Sequence, residues 1–367
     1  MTHASFAMIC CQNGAQAAVL QDIERDGWRL AFSRPGFVTV KNDSKTDRLP
    51  RGVFVRTASW SLGKATGGDS AQMIEQVNQA ISASKLTFDR LHVWPRDRVP
   101  IGRFDFEPGV DEISSAIADV LASGLPRTKV RSAVPNEVAK PGEKVLDIVI
   151  VDPANWWIGW HEVPKAAARQ DSGHLAPTMW PGGVQPLVPT VPVISRAYYK
   201  AAEAISWSGF DMKPGDLVAE IGSSPGGACG RLLELGMRVI GIDPGEMDPE
   251  ILSHPKFSHI RARAGDIPRR EFKGVKWLLV DSNVRPDQSL TTVENIVNHR
   301  HTSIEGMLLT LKLGGFEHSD RIPGWIKRIK SWGAHDIRVR NLARGKVEVC
   351  LAAKMRPEED ADQRHQS

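Results

Sequence analysis

The sequence has little cysteine: only Cys10, Cys11, Cys229 and Cys350 occur in 367 residues. None is spaced as a CxxC pair and no paired framework is visible. This argues against a cysteine-built zinc site and against a disulfide scaffold, and it points to a reducing, cytoplasmic setting. Long apolar runs are also missing, since no window approaches the roughly 20 residues that a membrane-spanning helix needs. The first residues lack the charged start, apolar run and small-residue cleavage site of a secretion signal. Charge of one sign is scarce as well. With 47 Lys+Arg against 43 Asp+Glu the net charge is +4, so total charge does not name a partner. No internal repeat is present.

What is there begins with 41% hydrophobic residues, enough for a sizeable core, over a length that suits two domains. The clearest seam is 174–194, where Pro177, Pro181, Pro186, Pro189 and Pro192 fall close together. Proline at that density stops helices and central strands, so a linker or extended strap is expected. It divides an N-terminal α+β region, 1–173, from a C-terminal domain, 195–355. The polar tail 356–367 is expected to be disordered. In the N-terminal region, strand-like runs occur at 36–41, 53–56 and 145–151, and helices are expected at 72–83 and 112–123. Basic residues cluster locally, as at Arg261, Arg263, Arg269 and Arg270 and at Arg338, Arg340, Arg344 and Lys346. Such groups suit phosphate contacts, or simply a solvated face.

After the seam the rhythm changes to alternating strands and helices. Strands are expected at 217–222, 238–243, 277–281 and 307–313, with helices at 226–236, 289–300 and 322–332. Two late strands follow, near 336–340 and 347–353, with no helix between them. Alternation of this kind implies a parallel sheet covered on both faces, and the last two strands suit an antiparallel edge hairpin.

The segment LVAEIGSSPGGACG runs from an apolar strand through Gly222, Ser223, Ser224, Pro225, Gly226 and Gly227 into a helix. Such a turn at a sheet's carboxyl edge admits a ligand close to the backbone. The next strand ends in Asp243, placed to accept hydrogen bonds from a ribose diol. Both features are shared with NAD enzymes, and glycine turns are often only structural, so these residues alone leave the cofactor open.

The Ser-Pro-Gly-Gly centre departs from GxGxxG and resembles the D-L-G-x-x-P-G-G loop of FtsJ-type methyltransferases. Over 190–355 the chain is similar to that family, most of all to its larger bacterial members that act on 23S rRNA cytidine and carry an N-terminal THUMP region. The resemblance implies a class I S-adenosylmethionine-dependent methyltransferase, an α/β Rossmann-like sheet of seven strands, after a THUMP-like α+β region. It implies S-adenosyl-L-methionine held by Gly222, Ser224, Pro225, Gly226, Gly227, Asp243, Asp266 and Asp281. Asp266 falls where the family's third strand holds the adenine amino group. It also implies a Lys-Asp-Lys-Glu tetrad. SRAYYKAAE resembles the helix before the loop and assigns Lys200. WLLVDSN assigns Asp281, LLTLKLGG assigns Lys312 inside an apolar run, and KVEVCLAA assigns Glu348.

The chemistry that such a tetrad serves is clear. A ribose 2′-hydroxyl is a poor nucleophile until its proton is drawn off while a sulfonium methyl is held in line. A lysine among other cations and partly desolvated is a base with a lowered pKa, and Lys312 is the candidate. Lys200 and Glu348 would orient the hydroxyl, and Asp281 would fix Lys312 and the methionine end of the cofactor. The implied partner is RNA, as rRNA or a ribosomal precursor, with neither metal nor membrane. Departures from the family pattern are Glu220 for its common Asp, Ala228 for an aromatic, and Ala197 for a serine. Trp156, Trp157 and Trp160 fit core positions better than base-stacking platforms. Two other readings stay open: a small-molecule methyltransferase, and a non-catalytic RNA-binding or ribosome-assembly protein on the same fold.

Overall fold

The computed structural model describes residues 5–44, 46–165 and 175–355. The tail expected at 356–367 and the start of the seam lie outside them. The chain divides into two compact units, Met1–Pro186 and Leu187–Ser367.

The first unit runs β1 (Ser5–Cys10), α1 (Gln16–Glu24), β2 (Arg29–Arg34), β3 (Phe37–Asn42), β4 (Thr57–Thr66), α2 (Ser70–Ser84), β5 (Arg90–Pro95), α3 (Glu112–Gly124), β6 (Lys144–Asp152), β7 (Asn155–Glu162) and α4 (Leu175–Met179). Its seven strands form one sheet in the order β2-β3-β1-β4-β7-β6-β5. Only β5 and β6 pair in parallel. Period-two patterning sends alternate residues of β6 to opposite faces. Leu146, Ile148 and Ile150 join the core under α2 and α3, while Val149 and Val151 pack with Met8, Phe37 and Trp94. Asp69 caps α2, and Asp111 with Ser114 forms a capping box on α3, each cap worth about 1 kcal/mol. Trp156 is buried, and Trp157 stacks on Phe32 at 5.6 Å.

Two expectations change here. The run 53–56 is not a strand. Its Phe54 N–H is met by the Asp22 carboxylate at 3.2 Å, and Arg56 leaves to form a buried bidentate pair with Asp97 at 2.6 and 2.7 Å. Nor is the Pro-rich seam extended throughout. Besides α4 it holds a 3-10 turn, Pro181–Gly183, with Trp180 and Val184 buried, and Met179 accepts the Ala139 N–H at 2.8 Å.

The second unit runs α5 (Ala197–Ser208), β8 (Leu217–Ile221), α6 (Gly227–Glu234), β9 (Arg238–Ile242), α7 (Pro249–Leu252), β10 (Phe257–Ile260), β11 (Trp277–Val280), α8 (Pro286–Val297), β12 (Gly306–Lys312), α9 (Ile322–Ser331), β13 (Ala334–Arg340) and β14 (Glu348–Met355). The sheet order is β10-β9-β8-β11-β12-β14-β13. The first five strands are parallel and β14 runs antiparallel to both neighbours. The expected hairpin is thus present, with the final strand inserted between β12 and β13. In α9 the apolar face is Ile322, Trp325 and Ile329, the spacing of one buried stripe. No helix among the described residues is long and apolar enough to cross a membrane.

Candidate active site

A cavity of about 1060 Å³ opens at the carboxyl edge of β8, β9 and β11, walled by Gly222, Ser224, Asp243, Asp266 and Asp281 and by most of 282–289. This is the side of an open α/β sheet where ligands bind. Gly222 turns with φ +89°, and a β-carbon there would stand 2.6 Å from the Asp281 carbonyl oxygen. Any other residue would be strained in that conformation and would push β8 away from β11. Asp243 accepts the Gly245 N–H on Oδ1 at 2.7 Å.

Three expected cofactor residues sit elsewhere. Pro225, Gly226 and Gly227 are off the cavity wall. A β-carbon on Gly227 would stand 2.1 Å from the Ser195 hydroxyl, and one on Gly226 would stand 2.8 Å from Ile251. These glycines let α6 pack tightly on the residues around it. Asp266 is on the wall but not at a strand end. The third strand, β10, is only four residues long and stops at Ile260, and Asp266 closes a later 3-10 turn, Ala264–Asp266.

Beside this cavity the four tetrad candidates meet. Lys200 comes from α5, Asp281 follows β11, Lys312 ends β12 and Glu348 begins β14. Lys200 Nζ donates to Glu348 Oε1 at 2.9 Å and pairs with Asp281 Oδ2; Lys312 Nζ donates to Asp281 Oδ1 at 3.0 Å and to Glu348 Oε2. The result is a closed square of alternating charge. Burial alone would push the carboxyls of Asp281 and Glu348 up, but the two ammonium groups override it and hold both below the ordinary range. For Lys200, burial alone would lower the ammonium's pKa, and the carboxylates instead hold it above its usual value. Lys200 is therefore a fixed cation. The Lys312 side chain is the more open of the two, 31% exposed against 16%.

The rest of SRAYYKAAE has work to do around Lys200. Glu203, one turn on and fully buried, accepts the Ala343 and Arg344 N–H groups at 2.8 and 3.2 Å. Arg196 Nη2 reaches the Arg344 carbonyl at 3.5 Å. Helix α5 thereby clamps the β13–β14 loop that leads to Glu348. Behind the square, Glu220 is buried and takes a hydrogen bond from Cys229 Sγ at 2.8 Å. Burial pushes its carboxyl up to about 8, so it is protonated at neutral pH.

Sequence reasoning missed the 282–289 wall, including Asn283, Arg285 and Gln288. A usable signal was there: a strand-terminal Asp followed by Ser-Asn and then Pro286 at a helix start. Among the described residues no group of three or more His, Cys, Asp or Glu could hold a metal.

Comparison with known proteins finds relatives over part of the chain. A curated relative from Azoarcus sp. (strain BH72), "Ribosomal RNA large subunit methyltransferase M", is 26% identical over 223 residues, 58% of this chain and 57% of its own. The protein of the same name from Laribacter hongkongensis is 31% identical over 113 residues, 29% of this chain and 31% of its own. The matched stretch thus spans from about a third to little more than half of the length of these curated relatives. Among solved structures, Aeropyrum pernix fibrillarin in complex with natively bound S-adenosyl-L-methionine aligns at 20% identity and a TM-score of 0.35, over 46% of this chain and 90% of its own. Residues 193–299, from the approach to α5 through the glycine turn and Asp281 to the end of α8, match the family described as FtsJ-like methyltransferase.

Proposed function

We propose that this protein is an S-adenosyl-L-methionine-dependent methyltransferase that methylates a ribose 2′-hydroxyl of large-subunit rRNA in the cytoplasm, with Lys312 as general base. The observation that carries the reading is that Asp281 belongs to two sites at once, walling the large cavity and binding both lysines. A cofactor seated in that cavity would therefore lie directly beside the two amines.

The cavity suits this cofactor. Asp243, just after β9, would accept from a ribose diol, and Asp266 on the same wall would accept from an adenine amino group. When bound, S-adenosylmethionine supplies an electrophilic methyl on sulfonium. The protein's part is the nucleophile. Lys312, the more open amine, would first release its ammonium proton to solvent, and its neutral nitrogen would then take the 2′-hydroxyl proton as that oxygen attacks the methyl. Lys200, held cationic, and Glu348 orient the hydroxyl, and Asp281 keeps Lys312 in place. General-base action contributes roughly 10²–10⁴-fold and alignment much of the rest.

The name shared by the curated relatives favours large-subunit rRNA, free or in a precursor particle. We assign the first unit to RNA recognition on its THUMP-like α+β pattern. A small-molecule methyltransferase would have no use for Lys200 and Glu348 turned toward Asp281, which weighs against that alternative. The test is a map of 2′-O-methylation across total RNA from cells with and without the gene. Loss of one large-subunit site is expected, and an unchanged map would overturn the reading.

A further inference from the structure

We propose that Arg344, seated on the ring of Tyr199 at the rim of the charged square, grips a backbone phosphate of the RNA strand and so sets the target ribose over Lys312. This rests on the RNA reading above and names the contact that would make the site selective for a polynucleotide.

The placement comes from both chain directions. Tyr199 immediately precedes Lys200, and the Arg344 guanidinium lies 4.5 Å from the Tyr199 ring centroid. Gly345, the next residue along, is so close to Glu348 that a β-carbon there would stand 3.3 Å from Oε1. The main chain between is held by Glu203 and Arg196. Arg344 thus sits against the neighbour of one tetrad residue, Lys200, and next in sequence to a residue packed on another, Glu348, on a clamped loop.

Its charge helps to hold down the carboxyl of buried Glu203, yet among the described residues its guanidinium joins no ion pair. The other arginines of this basic cluster are committed: Arg338 pairs with Asp336 at 2.9 Å, and Arg340 is buried. The Glu203 carboxylate meets the main-chain N–H of Arg344 and not its guanidinium, which is partly exposed, and Lys346 two residues on is exposed. The square itself holds two positive and two negative charges and exerts no net pull on a polyanion. A planar guanidinium stacked on an aromatic ring is preorganised, and its fork matches two phosphate oxygens. In RNA the 2′-hydroxyl neighbours the 3′-phosphate of the same nucleotide. A group that fixes that phosphate therefore also fixes the hydroxyl.

The experiment uses the full chain and a transcript of large-subunit rRNA. Equilibrium binding is measured over a range of KCl for wild type, Arg344→Ala, Arg344→Lys and Tyr199→Ala, and S-adenosylmethionine affinity serves as the control for folding. For Arg344→Ala the expected result is roughly tenfold weaker RNA binding and a log–log salt slope shallower by about 0.7–0.9, with cofactor affinity unchanged. Arg344→Lys should keep the slope but lose kcat, because a point charge does not fix the phosphate's orientation. Tyr199→Ala should resemble Arg344→Lys. Wild-type affinity and slope in Arg344→Ala would overturn the proposal while leaving the methyltransferase reading intact. Conversely, an RNA affinity that depends on Arg344 in a wild-type protein unable to methylate any RNA would sink the functional reading and keep the phosphate contact.

Discussion

Lys312 and Glu348 stand directly opposite each other in the antiparallel β12–β14 pair. This cross-strand position brings the Lys312 amine against Glu348, while the same amine reaches Asp281 beyond the parallel neighbour β11. One residue of slip in β14 would turn Glu348 to the other face of the sheet.

Substitution at Lys312 tests whether it is the proposed base or only a cation in that arrangement. Lys312→Ala should lower methyl transfer by roughly 10²–10⁴-fold. Lys312→Arg keeps the positive charge but cannot give up its proton, so it should fail about as badly. Single-turnover transfer to rRNA reads both, and substantial rescue by arginine would remove the general-base role.

The charged square makes its own pH window. Asp281 and Glu348 have folded pKa values below their ordinary 3.8 and 4.5, so their stabilisation is present above those values and is lost as pH falls through the depressed ones. Lys200 is raised above 10.5, so its share is present below 10.5 and is lost as pH rises through the higher value. The melting-temperature gap between wild type and Lys200→Met should therefore be widest between these limits and should close at both ends. A gap that does not vary with pH would show that the ion cluster adds nothing beyond packing.

Glu220 gives the opposite sign. Its carboxyl is raised from 4.5 to about 8, so wild type should lose stability as pH climbs through that interval, where burial resists the carboxylate. Glu220→Gln keeps the shape without the titration. The two proteins should melt alike below pH 4.5 and diverge toward and above about 8, with the glutamine form the more stable. Parallel curves would show that this carboxyl does not titrate across the interval.

In the first unit, Arg56 and Asp97 are 3% and 0% exposed. Arg56→Met strands a buried carboxyl and should cost about 3–5 kcal/mol in denaturant unfolding of that unit. Adding Asp97→Leu should restore most of it. A double variant no better than the single one would mean that packing, and not the orphaned charge, sets the loss.

Much of this was legible in the residues. Strands such as 145–151 and the helix at 112–123 declared themselves by period, capping residues and a closing glycine, because a sheet or helix with a buried face must repeat its apolar positions. Lys312 was conspicuous as a charge inside an apolar strand. Glu348 was not, since a glutamate opening a late strand looks like an exposed edge residue until β14 is known to lie inside the sheet. The run 53–56 looked like a strand because local apolarity does not reveal that Asp22, distant in sequence, would satisfy its backbone. What crowds Gly226 and Gly227 was not legible: it depends on Ile251 and Ser195, and sequence spacing carries no such information. Arg344 looked like one of four equivalent basic residues, and only the folded loop separates it from Arg338 and Arg340.

The order in which parts of the site are encoded has a consequence for faulty or unfinished copies. Everything that walls the large cavity is in place by residue 293, whereas Glu348 and the Arg344 loop arrive more than fifty positions later. A chain that stops between residues 313 and 343 has the residues of the cavity wall and Lys312 but lacks Glu348, the carboxylate that the inserted strand brings to it. The charged square thus closes only once the final strand has threaded between its two neighbours.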